Sequence, residues 1–449
     1  MQRTPWIALA VAVLVASSGA DTLHVDASNP ACPGAGTAAD PFCTIADALA
    51  AANPGDAIEV APGSYAGSLV VAVDGVVLRG AGAPLCTLAG DPGQPALLVA
   101  PGAGIADFTL EGFRVLPGAP GLDAAGLVLS AGHGGVSRVA GCRIEGHGTG
   151  IDWGGAGELV LEDSLVAGSK GDAVLAEGVQ ATITRSTIAG NGQRGIVGLG
   201  GGPFATNLSV RGSVLAFNGW WAVERFFETG TLVEHDLAFA NNLANPPFAP
   251  TAGPFMTAAP FAGYFPFGTG PGPVLAVDPL FVDASAGDWR PRPGSPAIDA
   301  GVPGAAPAPG AFDVEGYGHP RLLDGNFDGA AQLDLGAFEF GGLQAHGSPQ
   351  VAASPIVLEL SGPPGSLYEL DLGLPAGPLS LGPLGALFLD PTSLLPVSLG
   401  SMPATGTAPA LSALPPPALA GLALHFQGGT LSPAGAGRLT NLERVEVLP

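Results

Sequence analysis

Val139-Ala-Gly-Cys142-Arg-Ile144, Leu161-Glu-Asp-Ser164-Leu-Val166, Ile183-Thr-Arg-Ser186-Thr-Ile188, Val210-Arg-Gly-Ser213-Val-Leu215 and Val233-Glu-His-Asp236-Leu-Ala238 are five copies of one short pattern. Their fourth residues fall at 142, 164, 186, 213 and 236, in steps of 22, 22, 27 and 23. A period in the twenties marks stacked units, none of which can bury its apolar side alone. Read by columns, Val139, Leu161, Ile183, Val210 and Val233 point inward, as do Ile144, Val166, Ile188, Leu215 and Ala238. The fourth-residue column, Cys142, Ser164, Ser186, Ser213 and Asp236, is small or polar and suits a corner. Five residues beyond it come His147, Ser169, Asn191, Asn218 and Asn241. Asn side chains at turns can hydrogen-bond along a stack and tolerate left-handed backbone, and that is expected here.

The rest of the chain is read outward from this stack. Of 449 residues, Gly 71 and Pro 45 make up about a quarter, which alone raises the prospect of disorder. Against that, 47% of residues are hydrophobic and recur at fixed spacing, so the turns belong to a folded repeat. The net charge of −23, with Lys170 the single lysine, leaves no basic stripe for phosphate. Nucleic acid and anionic membrane surfaces are therefore excluded as partners, while divalent cations and sugars remain. Residues 1–20, with Arg3, the apolar run Trp6 to Val15 and Ser18-Gly19-Ala20, are expected to be a secretory signal peptide. No later stretch reads as a transmembrane segment, so a secreted, soluble monomer is expected.

Ahead of the stack, Thr22–Val25 and Ala57–Val60 read as strands. Ile45–Ala51, with apolar spacing at Ile45, Ala48 and Leu49, reads as a short helix. Cys32 and Cys43 bracket an 11-residue step and are expected to pair, in keeping with an oxidising compartment. Cys86 and Cys142, two rungs apart, would be about 9–10 Å from one another, beyond the reach of a disulfide, so two buried thiols are expected. After the stack, 246–273 breaks the pattern with Phe248, Phe255, Phe261, Phe265 and Phe267, and reads as an irregular excursion. Residues 341–349 read as a linker. Residues 346–449, with runs such as Ile356–Leu360 and Leu442–Val447, read as a small antiparallel β domain.

Asp40-Pro-Phe42, Thr44-Ile45, Gly55-Asp56, Pro62-Gly63-Ser-Tyr65 and Val77-Leu-Arg-Gly80-Ala-Gly82 resemble the opening of right-handed parallel β-helix proteins of the pectate-lyase-like superfamily. That likeness implies a coil over 21–345 whose open end is capped by the helix Ile45–Ala51. Asp278-Pro-Leu-Phe281, Gly287-Asp288-Trp-Arg290, Gly294-Ser-Pro-Ala-Ile-Asp299-Ala-Gly301 and Asp334-Leu-Gly-Ala-Phe-Glu339 resemble the closing segment of the choice-of-anchor Q type of bacterial surface protein. The fold expected is thus all-β: a right-handed parallel β-helix with an N-terminal capping helix, then a small C-terminal antiparallel β domain.

Candidate chemistry is sparse. Asp324-Gly-Asn326-Phe-Asp328-Gly329, with Asp334 beyond, places oxygen ligands at alternating positions and matches the first half of a calcium loop. Its closing acid falls one place early, and a plain turn is the favoured reading. A uronate lyase needs calcium-binding carboxylates and a basic residue. Asp163, Arg185, Arg211 and His235, on outward positions of neighbouring rungs, are the candidates, with cross-strand pairing as the simpler account. Gly146-His147-Gly148 resembles one element of polygalacturonases, but their other motifs do not occur, so His147 is assigned to the turn column. Trp220 and Trp221, with Glu224 and Arg225 nearby, are the candidates for stacking on sugar rings. The function expected is an exported, non-catalytic surface protein binding a polysaccharide or cell-surface component along its flank. A calcium-assisted polysaccharide lyase and a structural spacer are the alternatives.

Overall fold

The computed structural model describes residues 20–99, 105, 107–119, 124–129, 135–155, 157–200, 206–226, 230–234, 236–239, 241, 268–269, 274–308, 311–346 and 355–447. For 225–226, 230–232 and 268–269 only the backbone is described. Residues 1–19, His235 and the Phe-rich stretch, apart from Gly268–Thr269, lie outside the described residues.

Three sheets of parallel strands form the walls of a coil. The first has ten strands, from Thr22–Val25 to Gly268–Thr269. The second has nine, from Gly63–Ala66 to Val274–Leu275. The third has seven, from Leu69–Val71 to Val223–Phe226. The inward columns stack as their spacing predicts. Val139, Leu161, Ile183, Val210 and Val233 are successive partners along the first wall. Ile144, Val166, Ile188, Leu215 and Ala238 are successive partners along the second. Nine of these ten side chains are fully buried, and Ala238 is 3% exposed. Each aliphatic side chain so buried contributes roughly 1.5–3 kcal/mol relative to leaving it in water. That is why one rung alone cannot fold.

Polar ladders run up the corners between these aliphatic columns. The Ser164, Ser186 and Ser213 hydroxyls and Asp236 Oδ1 each accept the backbone N–H one rung earlier, at Cys142, Ser164, Ser186 and Ser213. Each serine hydroxyl in turn donates to the carbonyl two residues before it. The Asn column works in the same way. Asn191 Oδ1 accepts from Ser169 N–H, Asn218 Oδ1 from Asn191, and Asn241 Oδ1 from Asn218. Their amide groups donate to the carbonyls of Val166, Ile188 and Leu215. The sequence expectation errs in one respect. The left-handed residues are not those of the column His147, Ser169, Asn191 and Asn218 but those just before them, Gly146, Gly168, Gly190 and Phe217. The turn must be made one residue early so that the Asn side chain can lie along the stack.

The capping helix Ile45–Ala51 begins at Thr44, whose Oγ1 accepts the Asp47 N–H, and buries Ile45, Ala48 and Leu49. Cys32 and Cys43 form a disulfide. Cys86 and Cys142 are free and buried. Their neighbours Thr87, Arg114 and Arg143 are successive register partners, so Phe113 stands between the two thiols.

The second wall is buried on both faces from Leu165 to Ala238. Leu165, Ala167, Ala189, Val214, Ala216 and Leu237 pack against Phe281, Trp289, Ala297, Val314, Leu335, Ala337 and Phe338 of the closing segment. Trp289 lies so close to Gly190 that a Cβ there would fall 2.5 Å from its ring. Beyond it, Leu343–His346, within the stretch expected as a linker, instead pairs antiparallel with Ile356–Ser361. That pair belongs to a three-stranded antiparallel sheet, which shares a core including Leu358, Leu360, Leu370, Phe426 and Val445 with a four-stranded one; Pro375–Ser380 and Ala386–Leu389 form a further antiparallel pair. Among the described residues, no helix is long and apolar enough to cross a membrane.

Candidate functional site

The flank of the first wall carries the candidate acid and base. Asp163 and Arg185 sit immediately before the corner serines of adjacent rungs, with φ of 48° and 46°. The equivalent positions on neighbouring rungs are Gly141 and Gly212, so the side chains here are held at a cost of about 1 kcal/mol each. Two residues in such strained backbone invite a functional reading. Their contacts supply a structural one. Arg185 forks onto Asp163 at 2.8 and 2.7 Å and reaches Glu162 at 3.0 Å. From the closing segment, Arg321 brings its Nε to 2.9 Å from the same Asp163 carboxylate. Arg321, only 1% exposed, also contacts Glu339 at 3.4 Å and donates to the Gly336 carbonyl.

Asp163 is therefore clamped between two guanidinium groups beneath the cover. Burial works to raise its pKa, but the Arg185 hydrogen bonds and the charge of Arg321 outweigh it and hold the carboxyl below its usual range. Arg185 is pushed the other way, first by its hydrogen bond to Asp163. A general base must be poised near the working pH and within reach of substrate, and this pair is moved away from both conditions. Arg211 does not join them. It pairs with Glu234 on the next rung. Other flank cations are matched in the same way: Arg79 with Glu59 and Glu111, Arg114 and Arg143 with Glu145, Arg138 with Glu162.

The aromatic candidates lie at the turn leading into the third wall. Trp220 is 41% exposed, and Trp221 is half-buried. The turn is fixed from both sides. Trp220 N–H donates to Gln193, and the Trp221 carbonyl accepts from Gly195. Arg194 lies with its guanidinium carbon 5.5 Å from the centre of the Trp220 ring. Its own donors are taken by Asp172 at 2.7 and 2.8 Å and by Glu224 at 2.9 Å. Burial lowers the Arg194 pKa, and the hydrogen bonds to Asp172 and Glu224 more than restore it, so the cation is permanent. Glu224, buried beside it, is a positioning group for Arg194. The Arg225 side chain lies outside the described residues. Sequence reading missed Arg194 and Asp172, although Arg194 sits one rung below Trp220 and Asp172 one rung below Arg194, at the expected spacing.

The acidic loop spends its oxygens on itself. Asp324 accepts from the N–H groups of Asp328 and Gly329, Asn326 from Asp328, and Asp328 from Ala330. Asp334 is not turned toward the loop's interior. Its two oxygens accept from Asp299 and Phe340 at 2.7 Å each. This is a turn stabilised by local bonds, built on a layer of buried carboxylates. Asp299 accepts from Asn326 and Gln332, Asp313 from Glu315 and Glu339, and Glu339 from Leu323 and Asp334. Burial raises Asp334 to about 7 and Glu339 well above the ordinary carboxylate range. The acids of the closing segment thus stand in for the carbonyls that an irregular chain cannot supply.

No protein-family model matches the chain, and no curated protein matches it. Similar solved structures include the pectate lyase Pel9A, with a TM-score of 0.34 and 14% identity over 72% of this chain and 97% of that one. The A-module of Azotobacter vinelandii mannuronan C-5 epimerase AlgE4 gives a TM-score of 0.32 and 16% identity over 44% of this chain and 72% of that one. The AlgE6 A-module from the same organism gives 0.29 and 16%, over 44% and 64%. These are likenesses of a parallel coil, and no activity passes from them to this chain.

Proposed function

We propose that the chain is an exported extracellular or cell-surface protein of the choice-of-anchor Q type. In this reading it is a non-catalytic monomer that holds a polysaccharide or another surface component on the flank of its coil. The observation that supports this reading is the Trp220 platform. An exposed indole stands beside an arginine whose position is fixed by two carboxylates. Such an arrangement offers a flat apolar face to a sugar ring and polar groups at its edge. The lyase reading is weaker because its carboxylate and arginine are locked to each other and covered by Arg321. The acidic loop is read as a turn, and adding calcium is expected to leave the melting temperature unchanged.

The test is affinity electrophoresis against neutral and uronate polysaccharides. Retardation should appear in at least one, and Trp220→Ala should weaken it about 2- to 10-fold, the worth of one aromatic contact. Retardation unaffected by Trp220→Ala would move binding away from the Trp220 platform, and its absence throughout would reduce the coil to a spacer. Unsaturated product that forms from a uronate polymer and disappears in Arg185→Ala would establish the lyase instead.

A further inference from the structure

We propose that Glu315, His319 and Glu443 bind one divalent transition ion of the zinc type, which fastens the closing segment to the C-terminal sheet. Their ligand atoms lie within 4.8 Å of one another. Tetrahedral coordination at about 2.1 Å requires separations of about 3.4 Å, a closure within reach of side-chain rotation. The three residues also line a small cavity walled in part by Phe338, Phe340 and Leu343. It has room for a small ion and little else.

The chain delivers these ligands from two directions. Asp313–His319 is a double turn in which Asp313 N–H donates to the His319 carbonyl and Gly316 N–H to the Asp313 carbonyl. Positive φ at Gly316 and Gly318 brings Glu315 and His319 side by side, with Nδ1 3.5 Å from the Glu315 carboxylate. Glu443 comes from the strand Gly437–Glu446, and Leu442 N–H donates to the Gly318 carbonyl, which locks that strand to the turn.

Charge points the same way. The cavity is lined by Glu315 and Glu443 beside Arg290, while Glu339 on its wall is matched by Arg321. Arg290 is already forked onto Asp288 at 2.9 and 2.7 Å and stands 3.6 Å from Glu443. A divalent ion with one imidazole and two carboxylates supplies the missing positive charge and leaves one coordination position toward the cavity.

The test is calorimetric titration of Zn2+ into the EDTA-stripped full chain, with excess Ca2+ present to occupy surface acids. One equivalent should bind, and the melting temperature should rise. Glu443→Gln keeps the acceptor that Asn441 uses at 3.1 Å, so this variant should fold without metal and bind Zn2+ at least about tenfold more weakly. His319→Gln should do the same. Absence of a stoichiometric site in the wild type, or equal affinity in Glu443→Gln, overturns the proposal.

Discussion

Replacing Asp236 by serine tests the ladder that organises the coil. Asp236 holds the place occupied on earlier rungs by Ser164, Ser186 and Ser213, and it accepts the Ser213 N–H at 2.7 Å. It is fully buried, and burial raises its carboxyl to about 8. In the unfolded chain the same group titrates near about 3.9. The sign follows from linkage. Between these two values the unfolded state releases a proton that the native state keeps, so stability falls as pH rises. The fall is about 1.4 kcal/mol per pH unit, or roughly 5 kcal/mol across the whole window. A serine would accept the same N–H and donate to the Glu234 carbonyl, as its three counterparts do two residues back. It carries no proton to lose in this range. Other buried acids also titrate here, but they are common to both proteins and cancel in the comparison. Urea unfolding of both at pH 5, 6 and 7 should show the variant gaining on the wild type by about 1.4 kcal/mol per unit, close to 3 kcal/mol in all. Any packing loss from the smaller side chain is independent of pH and moves only the offset. Parallel stability curves would refute the reasoning.

Three other outcomes follow from the same contacts. Asn191→Ala orphans the buried Ser169 N–H, and denaturant melts should show a loss of about 1–3 kcal/mol; no measurable loss would mean the Asn ladder is ornamental. Trp289→Ala empties the ring seated on Gly190, and limited proteolysis should cut residues 281–346 well before the coil itself, at a cost of about 3–5 kcal/mol. Burial pushes the Cys142 thiol up to about 12 and raises that of Cys86, so neither should react with iodoacetamide at pH 8 until the chain unfolds. Mass-spectrometric labelling of the native protein would contradict that.

The repeat was legible because two physical signals coincide in it. Aliphatic columns need a common wall, and Ser and Asn columns need a corner where one rung's side chain meets the next rung's backbone. Both are one-dimensional patterns. The cover was harder to read, although it leaves a trace. Arg143-Ile-Glu145 alternates, whereas Leu165-Val-Ala167, Thr187-Ile-Ala189 and Val214-Leu-Ala216 are almost wholly apolar, as strands buried on both faces must be. That change of pattern announces a partner for the outer face. The site was less legible still. Arg321 meets Asp163 across 158 positions of chain, and nothing in local spacing indicates such a meeting. Without Arg321 in view, Asp163 and Arg185 read as a loose acid and base rather than a covered clamp. Arg194 was overlooked for a different reason: its role comes from two carboxylates on different rungs.

The outward apolar strip at Leu165, Val214 and Leu237 also sets the order of events during biosynthesis. The strands that carry it emerge, and can stack, before residues 281–340 exist to shield it. For that interval the nascent chain presents a greasy stripe along its side, a surface prone to self-association. A holding factor that keeps such a chain apart from its copies until the shield arrives would raise its yield without altering the finished molecule.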